Sequence, residues 1–132
     1  MSIAAFKLGF RPVEAFDIDP DAVRFSHENF EKNDIMLEDI NLTVANLSEF
    51  KPEKTRGFAV VTANILAPVL IGNRKILFSM LKPEGRLLLS GILEAEYISV
   101  KDAYMELGLV EESSLSEGEW TSGVFKKPQK KR

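Results

Sequence analysis

Residues 57–63, Gly57-Phe58-Ala59-Val60-Val61-Thr62-Ala63, form a near-continuous apolar run that stops at Asn64. A strand with one wet face alternates polar and apolar residues. An unbroken apolar strand needs cover on both faces, which is the environment of a parallel sheet flanked by helices. This run therefore points to an α/β chain with crossover connections, and the rest of the sequence can be tested against that frame.

The flanking segments fit. Residues 2–8 have the pattern of a short helix, with Gly9 placed as its C′ glycine. Residues 12–17 are a strand bounded by Pro12 and Pro20. Asp19-Pro20-Asp21 then opens a helix, with Asp19 as N-cap, proline at the first helical position and an acid in the first turn. That helix runs to about Lys32, with Val23, His27 and Phe30 on one face and Asn33-Asp34 as its stop. Residues 40–45 are a second short strand, and residues 46–56 a polar excursion. After Asn64 the spacing of Val69, Asn73, Ile76, Leu77 and Met80 predicts one helix over 68–81, ended by Pro83-Glu84-Gly85. Residues 86–90 are a strand closed by Gly91, and 94–107 a helix stopped by Gly108. Residues 109–115 and 120–125 flank Ser116-Glu117-Gly118-Glu119 as an antiparallel hairpin. The basic end, 128–132, reads as a disordered tail. Strands alternating with helices imply a mainly parallel sheet with helices on both faces.

Composition removes several chemistries. There is no cysteine and one histidine, His27. This excludes a thiolate zinc site, a thiol nucleophile and a multi-histidine metal cage. No metal site is expected. The Asp17-x-Asp19 pair lacks an obvious third acid, and His27 reads as a structural residue on its helix. A net charge of −3 argues against binding DNA by overall charge. No apolar run is long enough to span a bilayer, and the first residues show no basic-then-apolar leader, so a cytoplasmic protein is the simplest expectation.

The stretch Val13-Glu14-Ala15-Phe16-Asp17-Ile18-Asp19-Pro20 carries the first functional hint. In doubly wound sheets ligands bind at the carboxyl ends of strands. An acid at that position commonly accepts hydrogen bonds from the two hydroxyls of a ribose. A glycine-rich loop normally precedes such an acid by roughly 20 residues. Here Asp17 has 16 residues before it, and the chain contains no Gly-x-Gly. On the residues alone Asp17 is equally a turn-former at a strand end.

Longer stretches resemble one family. Asp17-Ile18-Asp19-Pro20-Asp21-Ala22-Val23, Glu28-Asn29, Ala63-Asn64-Ile65-Leu66-Ala67, Leu81-Lys82-Pro83-Glu84-Gly85-Arg86-Leu87, Leu89-Ser90-Gly91-Ile92-Leu93 and Glu119-Trp120 together are similar to the PrmA-type methyltransferases. These are class I enzymes that transfer methyl groups from S-adenosylmethionine to amino groups of the large-subunit ribosomal protein numbered eleven. The resemblance runs from Ser2 to about Lys127. It implies a partial methyltransferase domain over 1–127: a Rossmann-like sheet that lacks its first strand and glycine-rich loop. The family's sheet order is 3-2-1-4-5-7-6, so removal of strand 1 leaves two unpaired edges.

The resemblance also implies residue roles. Asp17 holds the cofactor ribose and Ile18 lies against the adenine. Asn46 stands where many class I enzymes place an acid for the adenine amino group, and asparagine is a departure there. Asn64 lies beside the methyl donor as the catalytic residue. It is similar to the asparagine of the Asn-Pro-Pro-aromatic motif, with Ile65-Leu66-Ala67 in place of the rest. Trp120 matches a family tryptophan and reads as core or cleft wall before substrate platform. The implied partner is a ribosomal protein. With the donor loop missing, the chain alone is expected to be weakly active or inactive. The alternative is a non-catalytic module that associates through its unpaired strand edges.

Overall fold

The computed structural model describes residues 1–36, 38–50 and 57–129. The chain divides into two compact units, Met1–Glu53 and Lys54–Arg132. Residues 51–56, part of the expected polar excursion, and most of the expected basic tail, 130–132, lie outside the described residues.

The first unit contains α1 (Ser2–Lys7), β1 (Val13–Asp17), α2 (Pro20–Lys32) and β2 (Ile40–Val44). α1 ends at Gly9, whose φ of +95° is the left-handed turn expected of a C′ glycine. α2 has the bounds the capping residues imply. Asp19 Oδ1 accepts the Asp21 N–H at 2.9 Å, and Pro20 sits in the first turn. The helix closes at Asn33, and Asp34 then takes a φ of +58°. β1 and β2 run parallel, from Val13 opposite Ile40 to Asp17 opposite Val44. Val13, Phe30, Ile35 and Ile40 form the core, with Ile3, Phe6, Ala15 and Leu42 against it. His27 is half-buried with its ring edge-on to Phe30 at 6.3 Å, the structural position expected of it.

The second unit contains β3 (Phe58–Asn64), α3 (Ala67–Gly72), α4 (Arg74–Ser79), β4 (Leu81–Leu93), α5 (Glu94–Met105), β5 (Val110–Glu117) and β6 (Trp120–Lys126). Its sheet order is β3-β4-β6-β5, with β3 parallel to β4 and the rest antiparallel. This order matches the 4-5-7-6 part of the order that the resemblance implies, and the parallel β1-β2 pair, taken by itself, matches the 3-2 part. One face of the sheet carries Leu87 and Leu89 of β4 and Phe125 of β6, each at most 1% exposed. α5 supplies Val100 and Tyr104 to the same core. Each fully buried side chain of this size contributes about 1.5–3 kcal/mol. The Tyr104 hydroxyl donates to the Leu70 carbonyl at 2.7 Å, which ties α5 to α3 and satisfies a buried polar group. Tyr97 lies under Gly123, where a Cβ would collide with its hydroxyl, and donates to Glu111 at 2.6 Å. Burial, then that carboxylate, hold the Tyr97 phenol above its ordinary value.

Three expectations are corrected. The single helix over 68–81 is two short helices that meet at Asn73. The Asn73 carboxamide donates to the Val69 carbonyl at 2.9 Å while its backbone, φ −106° and ψ 17°, leaves the helical range. The Asn73 backbone N–H still donates to the same Val69 carbonyl at 3.0 Å, so the side chain shares that acceptor without displacing the helical bond; the break is the backbone turn at Asn73, beside Gly72, a residue that weakens a helix. Second, Pro83-Glu84-Gly85 does not end a helix, which stops at Ser79. It is an excursion inside β4, where Leu81 pairs with Phe58 and Arg86 with Val60. Third, β3 is not buried on both faces. It is an edge of its sheet, and none of its residues is fully buried. Its composition is that of a central strand, but among the described residues only β4 pairs with it.

Candidate functional site

In the first unit the candidate residues gather at the carboxyl ends of β1 and β2. Asp17 closes β1, and its carbonyl accepts the Ala45 N–H at 3.0 Å, which brings the two strand ends together. Its Oδ1 accepts the Asp19 N–H at 2.9 Å, so the acid does form the turn that leads into α2. Its Oδ2 has no partner among the described residues, and the carboxylate is exposed. Each carboxylate oxygen offers two lone pairs, so the pair of acceptors that a ribose diol needs remains after the turn is made. Ile18 follows with 66% of its surface exposed, an apolar side chain held in the open beside that acid. Asn46 stands just past β2. Its Oδ1 accepts from both the backbone N–H and the hydroxyl of Ser48 at 3.2 Å, so it is committed to its own loop. Phe16 and Phe50 stack at 4.0 Å and anchor the end of that loop to β1. The pairing of β1 and β2 places Asp17, Ile18 and Asn46 at adjoining strand ends, with the Asn46 carboxamide oxygen already in use.

In the second unit Asn64 ends β3 opposite Ser90 of β4. It lines an open recess of about 420 Å³ with Ile65, Leu66, Gly91 and Trp120. The recess exists because β4 is bulged there. Leu89 pairs with Gly123 and Ile92 with Thr121, so β4 carries one residue more than β6 across Ser90-Gly91. Gly91 takes a φ of +72° at the bulge. A Cβ on Gly91 would run into the Asn64 Oδ1 and stand 3.3 Å from its Cγ. The carboxamide therefore lies directly against the Gly91 backbone. Trp120, opposite Leu93, is 48% exposed and forms the recess wall, the cleft-wall placement expected of it. Asn64 supplies the carboxamide in this lining, and Ile65, Leu66 and the Trp120 ring supply most of its apolar surface. In general a carboxamide oxygen can accept an N–H hydrogen, and apolar side chains can pack against aliphatic carbon.

Gly91 is the site residue that sequence reasoning missed. Its place in Leu89-Ser90-Gly91-Ile92-Leu93 reads as a strand end, and its proximity to Asn64 depends on a pairing offset with β6. Among the described residues no group of three His, Asp or Glu side chains stands close enough to hold a metal ion. No described helix is long and apolar enough to cross a membrane.

Comparison with known proteins fits this geometry. The family profile described as "Ribosomal protein L11 methyltransferase (PrmA)" matches residues 1–128. A ribosomal protein L11 methyltransferase of Streptococcus thermophilus is 35% identical over 127 residues, which is 96% of this chain and 39% of that protein. The chain thus spans about two fifths of the length of the curated relatives it matches. A crystal structure of a ribosomal protein L11 methylase from Lactobacillus delbrueckii subsp. bulgaricus superposes with a TM-score of 0.86 at 28% identity, over 97% of this chain and 64% of that one. An RNA methyltransferase from Salinibacter ruber, solved in complex with S-adenosyl-L-homocysteine, has a TM-score of 0.70 at 20% identity over 99% of this chain and 75% of its own; it shares the fold alone. With a sheet order, two strand-end clusters and a profile match that coincide, the chain belongs to the ribosomal protein L11 methyltransferase family.

Proposed function

We propose that this chain carries the ribose-binding acid and the amine-accepting carboxamide of a methyltransferase that acts on amino groups of ribosomal protein L11. The observation that carries the reading is the Asn64 recess: one carboxamide in an apolar, open setting at the end of a sheet strand. S-adenosylmethionine supplies, when bound, an electrophilic methyl on a sulfonium. Asp17 accepts from the ribose hydroxyls, and Ile18 offers an apolar surface to the adenine. Asn46 contributes through its loop backbone, since its side-chain oxygen serves Ser48. Asn64 accepts one N–H of the substrate amine and so aims the nitrogen lone pair. The apolar walls disfavour the ammonium form and help the amine shed its proton. Alignment of the nitrogen for in-line displacement is the main work asked of these residues.

The chain holds no Gly-x-Gly loop to receive the other end of the cofactor. We therefore expect the 132-residue chain to bind S-adenosylmethionine weakly and to turn over little. Isothermal titration with S-adenosylmethionine checks this: micromolar affinity for the chain alone would overturn it.

A second reading rests on β3. Its apolar strand stands at a sheet edge, which favours pairing with another strand. Sedimentation velocity over a hundredfold concentration range separates the two readings. A monomer throughout removes the association module, and a concentration-dependent dimer that is lost in Val61→Lys supports it.

A further inference from the structure

We infer that Gly91 is the positioning residue for Asn64, and that the β4 bulge exists at this point to hold the Asn64 carboxamide in one orientation. The proposal rests on the reading of Asn64 as the amine-accepting residue. It goes beyond that reading by naming what aims the carboxamide.

Three observations converge. First, β4 gains one residue over β6 at Ser90-Gly91, directly beside the position that pairs with Asn64. Second, Gly91 takes a φ of +72°, a region open to glycine at no steric cost and unfavourable for a side chain. Third, the turned backbone directs a Cα hydrogen of Gly91 at the Asn64 Oδ1, since a Cβ built there would collide with that oxygen. A Cα–H···O contact of this kind, worth about 0.5–1 kcal/mol, biases the carboxamide toward one orientation. By contrast, of the other glycines with positive φ, Gly57 would bring a Cβ only against backbone atoms of Met80, Leu81 and Lys82, and a Cβ on Gly9, Gly108 or Gly118 would meet nothing within 4 Å. Those glycines serve turns. Gly91 serves a turn and a neighbouring side chain together.

Asn64 is exposed and ends its strand, and among the described residues its side chain makes no hydrogen bond within β3. A freely rotating carboxamide presents its oxygen and its NH₂ to the recess in turn, and only the oxygen can accept from an amine. Contact with the Gly91 backbone removes that freedom. A methyl group at position 91 pushes the carboxamide off this seat while leaving the Leu87, Leu89 and Phe125 core beneath it untouched.

The test is a double-mutant cycle on the 132-residue chain, with Gly91→Ala, Asn64→Ala and the double variant, read by denaturant unfolding and by ¹⁵N NMR. In the unsubstituted protein the Asn64 side-chain amide gives two resolved proton signals with NOEs to the Gly91 α-protons. In Gly91→Ala those signals move to the averaged position of exposed asparagines, while the backbone amides at Leu87, Leu89 and Phe125 stay within their line widths. Gly91→Ala lowers the folding equilibrium constant at least tenfold more in the parent background than in the Asn64→Ala background. Truncation at position 64 removes the collision and leaves only the φ penalty. Folding of Gly91→Ala only when Asn64 is also replaced supports the proposal. Equal losses in both backgrounds, loss of folding in both, or an unmoved Asn64 signal in a folded Gly91→Ala protein overturns it. None of these outcomes depends on methyl transfer. The reading of Asn64 itself fails separately, if n-butylamine at millimolar concentration leaves the Asn64 side-chain amide signals of the unsubstituted chain unmoved.

Discussion

Asp17 does two jobs that one substitution can separate. Its Oδ1 holds the Asp19 N–H, and its charge stands at a strand end. Asp17→Asn keeps an oxygen for the turn and removes the charge; Asp17→Ala removes both. A hydrogen bond of this kind contributes about 0.5–1.5 kcal/mol net. Asp17→Ala should therefore lose roughly that much in urea unfolding, and Asp17→Asn should stay within about 0.5 kcal/mol of the parent. Equal losses in the two variants would mean that the charge, not the turn, stabilises the strand end. Asp17 was legible in the sequence because its signal is local: an apolar run, an acid, then Asp19-Pro20 as a helix start. Asn64 was legible for the same reason, as the stop of an apolar run. Gly91 was not, because its role is set by which residues of β6 face β4. No window of sequence around residue 91 contains that offset.

Elements whose determinants are local emerged with the bounds their residues imply. α2 is the clearest case, with Asp19, Pro20 and Asn33 marking both ends. Elements decided by competition did not. Asn73 has apolar helical spacing around it and still divides α3 from α4, because its backbone, next to Gly72, leaves the helical range while its N–H and carboxamide share the Val69 carbonyl. The hairpin turn is also tighter than the four-residue Ser116-Glu117-Gly118-Glu119 reading. β5 runs through Glu117, Gly118 takes a φ of +60°, and β6 resumes at Trp120. At the far end of this hairpin the strands are linked by charge. Arg86 pairs with Glu112 at 2.8 Å, and Lys126 with Glu84 at 2.7 Å. Hydrogen bonds from Arg86 and Lys126, more than their charge, hold the Glu112 and Glu84 carboxyls below their ordinary value of 4.5. A carboxylate with a lowered folded-state pKa stabilises the fold above its unfolded value and loses that contribution as the pH falls through the folded one. Stability should thus fall on acidification below about pH 4.5. Glu112→Gln should show a shallower fall, and the two curves should converge at the acid end. In 1 M salt, where the screening length is about 3 Å, the difference should shrink. Thermal midpoints between pH 6 and pH 2 check this, and parallel curves would remove these pairs from the account.

At the scale of the whole molecule the sheet order was readable only through resemblance. Periodicity gave strands and helices in sequence, but not which strand neighbours which. The burial of β3 was misread because an apolar run reports the cover a strand is built for, and among the described residues one edge of β3 has none. The two units also differ in how well they can stand alone. Among the described residues, six of the buried apolar side chains belong to Met1–Glu53 and fourteen to Lys54–Arg132. The smaller unit has a two-stranded sheet, an arrangement that is marginal in water without further packing. The larger has four strands with α3 and α5 locked by the Tyr104–Leu70 bond. Native-state hydrogen exchange should therefore divide by unit. Amides of β1, β2 and α2 should exchange through an opening of lower free energy and smaller denaturant slope than those of β4 and β6. A single free energy and slope for both sets would show that the chain unfolds as one cooperative body. The difference bears on binding. Asp17 belongs to the unit expected to open first and Asn64 to the unit expected to hold, so a ligand of Asp17 has to offset the cost of ordering its unit. S-adenosylhomocysteine at millimolar concentration should then raise protection in β1 and β2 while leaving β4 and β6 as they were. Protection gained only in β4 and β6 would take the ribose role away from Asp17.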